Sequence, residues 1–132
     1  MKVYLYAHTG HRIGLENLRR LIPMALHFEN EMKECEVVTL VNDVRARSFA
    51  KEAGLGRVAV IDGVQDIANI VNDDDLLILS SEEPSPSMLE EMRMVYPQFV
   101  RFDDSLAPQR YGTELVISPF IEDEGIIKAF PI

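Results

Sequence analysis

One cysteine and no tryptophan occur in 132 residues, and 13 basic side chains face 22 acidic ones. A lone Cys35 can form no intrachain disulfide and no cysteine-based zinc site. Its neighbours Glu34 and Glu36 are the wrong surroundings for a nucleophilic thiolate, so a half-buried structural role is expected. The net charge of −9 repels phosphate backbones and acidic membrane surfaces. No basic stripe interleaved with aromatics offsets it, so neither nucleic acid nor membrane is an expected partner. No apolar run approaches the ~20 residues of a membrane span. The opening Met1–His8 lacks the long apolar stretch and cleavage site of a secretory signal and reads as a strand. A soluble protein that stays in the cytosol is the expectation.

The residues present, 47% hydrophobic and 27% charged, suit one globular domain spanning 1–132. Short β-rich apolar runs alternate with longer amphipathic stretches. The runs are Val3–Ala7, Val37–Val41, Val58–Ile61, Leu76–Leu79, Phe99–Phe102 and a possible sixth at Leu115–Ile117. Several are apolar at consecutive positions, as in strands covered on both faces. Helices are expected near 15–31, 43–53, 64–71 and 86–96. Ser85-Pro86 supplies an N-cap and a first-turn proline, Gly54 a helix stop, and Pro23 a kink or break. The alternation predicts an α/β domain: a three-layer, Rossmann-like fold with a mostly parallel sheet of about five or six strands.

In such sheets ligands sit beyond the carboxyl ends of the strands, near the switch in strand order. The first such loop carries Thr9, Gly10, His11, Arg12, Ile13 and Gly14, followed by a helix whose N-terminus favours anions. Its spacing matches neither the dinucleotide fingerprint nor the P-loop. His8 and His11 offer only two metal ligands; Asp103 or Glu82 would have to complete a set, and no metal or other cofactor is expected. Either histidine could serve as acid or base, and Asp103-Asp104 could supply a carboxylate, although adjacent strand residues point to opposite faces. Ser80 and Ser81 join the candidates at the end of the fourth run. Asp73–Asp75 falls at the opposite edge, and Glu82-Glu83 and Glu122–Glu124 read as acidic surface. The methionines read as core filler.

The segment Ala7–Leu21 resembles the opening of the UDP-sugar hydrolases of pseudaminic acid biosynthesis, which have the two-domain architecture of B-type glycosyltransferases. That family's first loop ends in Ile-Gly-Ser-Gly-His, followed after two residues by Arg; Ile13, Gly14 and Arg20 fall at matching positions. Phe99–Ala107 is similar to its strand ending in Asp-Asp-Leu-Ala, and Glu114–Pro119 to the strand leading toward its second domain. The resemblance spans roughly 1–124 and is concentrated in two short segments. It implies an amino-terminal half, without the second domain that holds uridine diphosphate. The histidine implicated in activating water corresponds here to Asn17, which takes up no proton near neutrality. That role stands vacant unless His8 or His11 fills it.

The reading is therefore a stand-alone domain that binds a sugar or nucleotide-sugar-related ligand, or completes a cleft with a second protein or as a homodimer, without the hydrolase activity on its own. Its ligand-binding candidates are Thr9, Gly10, Arg12, Gly14, Asn17, Arg20, Ser80, Ser81 and Asp104; its acid–base candidates are His8, His11 and Asp103. The alternatives are an active nucleotide-sugar or phosphorylated-sugar enzyme, and a self-assembling module with no small ligand. The apolar tail 120–132 is expected to pack on the body or on a partner.

Overall fold

Residues Lys2–Ala7 form β1, the strand about which the molecule is organised, and every residue in it but Lys2 is buried. The computed structural model describes residues 1–119 and 126–128. The chain continues through α1 (Glu16–Glu31), β2 (Glu36–Val41), α2 (Val44–Glu52) and β3 (Val58–Val60). A 3₁₀ segment, Val64–Asn69, leads to β4 (Leu76–Ser80), followed by α3 (Pro86–Val95), β5 (Gln98–Phe102), β6 (Leu115–Ser118) and β7 (Ile126–Lys128). The strands make one seven-stranded sheet in the order β3-β2-β1-β4-β5-β6-β7, with every pairing parallel. The fold is the expected Rossmann-like three-layer α/β arrangement, with one strand more than the upper expectation. β7 lies in the segment read as an apolar tail. Residues 120–125 and 129–132 lie outside the described residues, and with them most of the expected tail packing and Glu122–Glu124.

Period-two alternation of β1 sorts its side chains between two cores. Val3, Leu5 and Ala7 face Leu18, Leu21 and Ala25 of α1 and Ala46 and Ala50 of α2. Tyr4 and Tyr6 face the other way, with Leu77, Leu79, Ile67 of the 3₁₀ segment and Met92 of α3. Right-handed crossovers explain the sorting: the chain winds outward from β1 to β3 with its helices on one face, then crosses to β4 and returns along the other. Cys35 is partly buried and packs against the first core.

Local signals set most element ends. Asp43 caps α2 by accepting from the Arg45 amide at 2.7 Å, and Ser85 caps α3 by accepting from Met88 at 3.2 Å. Gly54, at φ +106°, stops α2 in a conformation that favours glycine. Pro23 ends nothing: α1 continues through it to Glu31 because Leu18, Leu21 and Ala25 hold the helix on the sheet. The start of α1 has no side-chain cap at Leu15.

Between β5 and β6 no helix intervenes, and the loop 103–114 is held by charge. Arg101 and Glu114 are almost wholly buried and pair at 3.5 Å, while Arg101 reaches Asp103 at 3.3 Å and the Gln109 carbonyl. The Glu114 carboxylate also accepts from the Tyr111 and Gly112 amides at 2.8 and 2.7 Å. Each buried charge thus has a partner, as burial requires.

Candidate functional site

Strand order reverses between β1 and β4, so the loops leaving these two strands diverge and open the carboxyl edge. The first of these loops extends the sheet by one bond, His8 amide to Ser80 carbonyl at 3.1 Å. Thr9 then turns inward, buried, with its amide and hydroxyl both donating to Asn42 Oδ1 at 2.8 and 3.1 Å. The Asn42 amide returns a bond to the Thr9 carbonyl at 2.9 Å. Gly10 and Gly14 exchange backbone bonds of 3.4 and 2.6 Å, closing a small hairpin whose tip is His11-Arg12. Gly14 lies at φ +72°, the left-handed region this closure needs. His11 and Arg12 are exposed and make no side-chain hydrogen bond or ion pair among the described residues.

Asn17, in the first turn of α1, is buried and joins both strands. Its Oδ1 accepts from the Ser80 hydroxyl at 2.7 Å. Its Nδ2 donates to the His8 carbonyl at 2.9 Å and to Glu82 Oε2 at 3.1 Å. The other Glu82 oxygen receives His8 Nδ1 in a short contact. Burial pushes the Glu82 carboxyl up, but the hydrogen bonds from His8 and Asn17 outweigh it and hold the group below the usual carboxylate range. Glu83 closes the other side. Its Oε1 accepts from the Tyr6 hydroxyl at 2.6 Å and Ser81 at 2.9 Å, and its Oε2 stands 4.0 Å from His8 Nε2. Burial, followed by the bond to Glu83 and its charge, drives the Tyr6 hydroxyl far above its ordinary value.

A cleft of about 220 Å³ lies next to this network, between the ends of β4 and β5, lined by Ser81, Glu82, Leu89, Arg101, Asp103 and Asp104 among others. Both aspartates reach it. Asp103 is anchored by Ser105 and Arg101; burial raises its carboxyl, and these bonds bring it below its ordinary value. Asp104 takes a bidentate bond from Arg20 at 2.9 and 3.1 Å, and the guanidinium lies over the Phe102 ring at 4.7 Å. A larger hollow of about 490 Å³ sits at the amino edge, beside Lys2, Asp74 and Asp75. Asp75 there closes a turn by accepting from the Asn72 amide at 2.9 Å, a structural task.

The structure thus brings together His8, Asn17, Ser80, Ser81, Asp103, Asp104 and Arg20, whereas His11, Arg12 and Gly14 project away on the hairpin. Ser80 and Thr9 are buried and act through neighbours. Glu82 and Glu83, which sequence reasoning assigned to acidic surface, stand at the centre of the network. Their position directly after the fourth strand was the available signal. Among the described residues no three His, Cys, Asp or Glu side chains stand where they could hold a metal ion, and no helix is long and apolar enough to cross a membrane.

Fold and site define a Rossmann-like three-layer α/β domain whose polar network occupies the switch point. No protein-family model, curated protein sequence or solved structure matches the chain.

Proposed function

We propose that this chain is a binding domain for a sugar or nucleotide-sugar-related ligand, seated between the ends of β4 and β5. The observation that carries the reading is the cleft beside the His8–Glu82–Asn17 network, where carboxylate and hydroxyl groups converge at the switch point. Carboxylates accept hydrogen bonds from vicinal hydroxyls, and Ser81 and Ser105 can both donate and accept. Leu89 and Phe102 line the same cleft and offer apolar surface to a ring. Asp103 and Asp104 are each paired with an arginine, leaving Glu82 as the lining carboxylate without one. That charge favours the hydroxylated or amino end of a ligand over a phosphate.

The volume also bears on the partner. About 220 Å³ falls below the roughly 300–1,000 Å³ of ordinary ligand pockets, which supports a reading in which the cleft is completed by a further wall. A second protein, or a second copy of this chain, would supply it, and the domain by itself binds without hydrolysing. Amide NMR titration with UDP, UDP-sugars and free amino sugars tests the reading. Saturable shifts at His8, Asn17, Ser81–Glu83 and Asp103–Ser105 are expected. Silence across that panel would refute it in favour of a self-assembling module.

A further inference from the structure

We infer that the ligand of this cleft carries a primary ammonium group, held by the Glu82 carboxylate with Asp104 as the second acceptor. The inference rests on the ligand reading above and narrows it to sugars with a free amine. What carries it is the balance of hydrogen-bond donors and acceptors that the lining residues have left over.

The side-chain donors of the lining are engaged within the protein. An ionised carboxylate only accepts hydrogen bonds, so Ser81 must donate to Glu83 Oε1 at 2.9 Å and Ser105 to Asp103 Oδ1 at 2.6 Å. Arg101, whose side chain is 3% exposed, faces Asp103, the Gln109 carbonyl and Glu114. A phosphate therefore finds no free side-chain donor among the lining residues. The carboxylates differ from one another. Asp103 accepts from the amide and the hydroxyl of Ser105, from Arg101 and from the Gln109 amide, which fills the about four lone-pair sites of a carboxylate. Glu82 accepts only from His8 and Asn17, and its side chain is 54% exposed. Asp104 accepts only from Arg20 and is 53% exposed. Each of these two keeps about two acceptor sites unused.

Burial raises the Glu82 carboxyl, but the bonds from His8 and Asn17 keep it below the usual carboxylate range, so it is ionised at neutral pH. A lining with spare acceptors, no spare side-chain donor and an ionised carboxylate without an arginine is complemented by a group of the opposite kind. An ammonium is that group: three donors, no acceptor and a positive charge. A metal ion would meet the same charge, but among the described residues no three His, Cys, Asp or Glu side chains stand where they could hold one.

Amide NMR titration of the full chain at about pH 7 with glucosamine, N-acetylglucosamine and glucose separates the charge from the ring. Glucosamine is expected to bind about tenfold more tightly than the other two, with shifts at Glu82, Leu89 and Asp104. Its affinity should fall as salt is added, while that of the neutral sugars should not. Glu82→Gln and Asp104→Asn should each reduce the preference with the amide spectrum otherwise folded, and the salt dependence reads the same charge in the unaltered protein. Equal affinity for the three sugars, a salt-independent preference or one that neither variant changes would overturn the ammonium and leave the ligand reading standing. No shift with any of the three would remove the ligand reading and this inference with it.

Discussion

The Ser80 hydroxyl, at the end of β4, donates to Oδ1 of Asn17, at the start of α1, over 2.7 Å and 63 positions of sequence. Because Oδ1 is taken, Nδ2 is free to bind the His8 carbonyl and Glu82 together. One buried amide therefore joins the first strand, the first helix and the loop after the fourth. Its loss would be felt both in stability and in the geometry of the cleft.

Asn17→Asp replaces the donor by an acceptor that faces the Glu82 carboxylate. Two hydrogen bonds are lost in a buried place, and a destabilisation of about 2–4 kcal/mol is expected. Ser80→Ala removes one bond and should cost about 1 kcal/mol. Urea unfolding followed by far-UV circular dichroism ranks the two; equal costs would mean that the Asn17 donors contribute nothing.

Glu114→Ala should be more damaging. It leaves Arg101 buried without its fully buried counter-ion, and the amides of Tyr111 and Gly112 unpaired. Breaking a buried ion pair from one side costs about 3–5 kcal/mol. The double variant Arg101→Met with Glu114→Leu should recover part of that loss, measurable as a higher urea midpoint than the single change.

Stability should fall at both pH extremes for different reasons. Glu82 and Asp103 titrate lower when folded than when unfolded, so the folded state binds fewer protons. Their contribution is complete above the unfolded values near about 4 and disappears as the pH falls through the folded ones. Glu82→Gln and Asp103→Asn should each flatten the acid limb of a plot of urea midpoint against pH. Tyr6 titrates higher when folded, so its contribution is complete below the unfolded value of about 10 and is lost at higher pH. Tyr6→Phe should flatten the alkaline limb and leave the acid one unchanged.

Pro23→Ala is expected to stabilise the protein. Pro23 is exposed in the interior of α1, where it lacks the amide that would bond to Arg19. Interior proline costs a helix about 3 kcal/mol, part of which its stiffness in the unfolded chain returns, so a gain of about 1–2 kcal/mol should appear in thermal unfolding. An unchanged or lower transition would show that the helix has already absorbed the defect.

Much of the fold was legible because its signals are local. Consecutive apolar residues in Leu76–Leu79 and Val37–Val41 announce strands covered on both faces, and Asp43, Gly54, Ser85 and Pro86 mark helix ends by their own chemistry. Pro23 misled for the same reason: its local effect is real, and packing of Leu18, Leu21 and Ala25 overrides it. β7 was hidden because three residues carry too little periodicity to separate a strand from an apolar tail.

The candidate site was legible only in outline. Alternation of β and α elements places His8, Ser80 and Asp103 at the carboxyl edge by parity and topology, without any contact being known. Which of the edge residues act together was settled by the crossover to β4. It sets the loop after Ser80 beside the loop after Ala7, although some seventy residues separate them along the chain. Glu82 and Glu83 look like solvated acids in sequence because charge alone carries no information about partners. Only the parallel pairing of Ala7 with Ser80 gives them His8, Asn17 and Tyr6 to bind. The sequence by itself determined a parallel α/β sheet and its functional edge, since both follow from short-range patterns. Tertiary structure decided the network and the cleft, since hydrogen bonds between remote side chains exist only once the strands are in register.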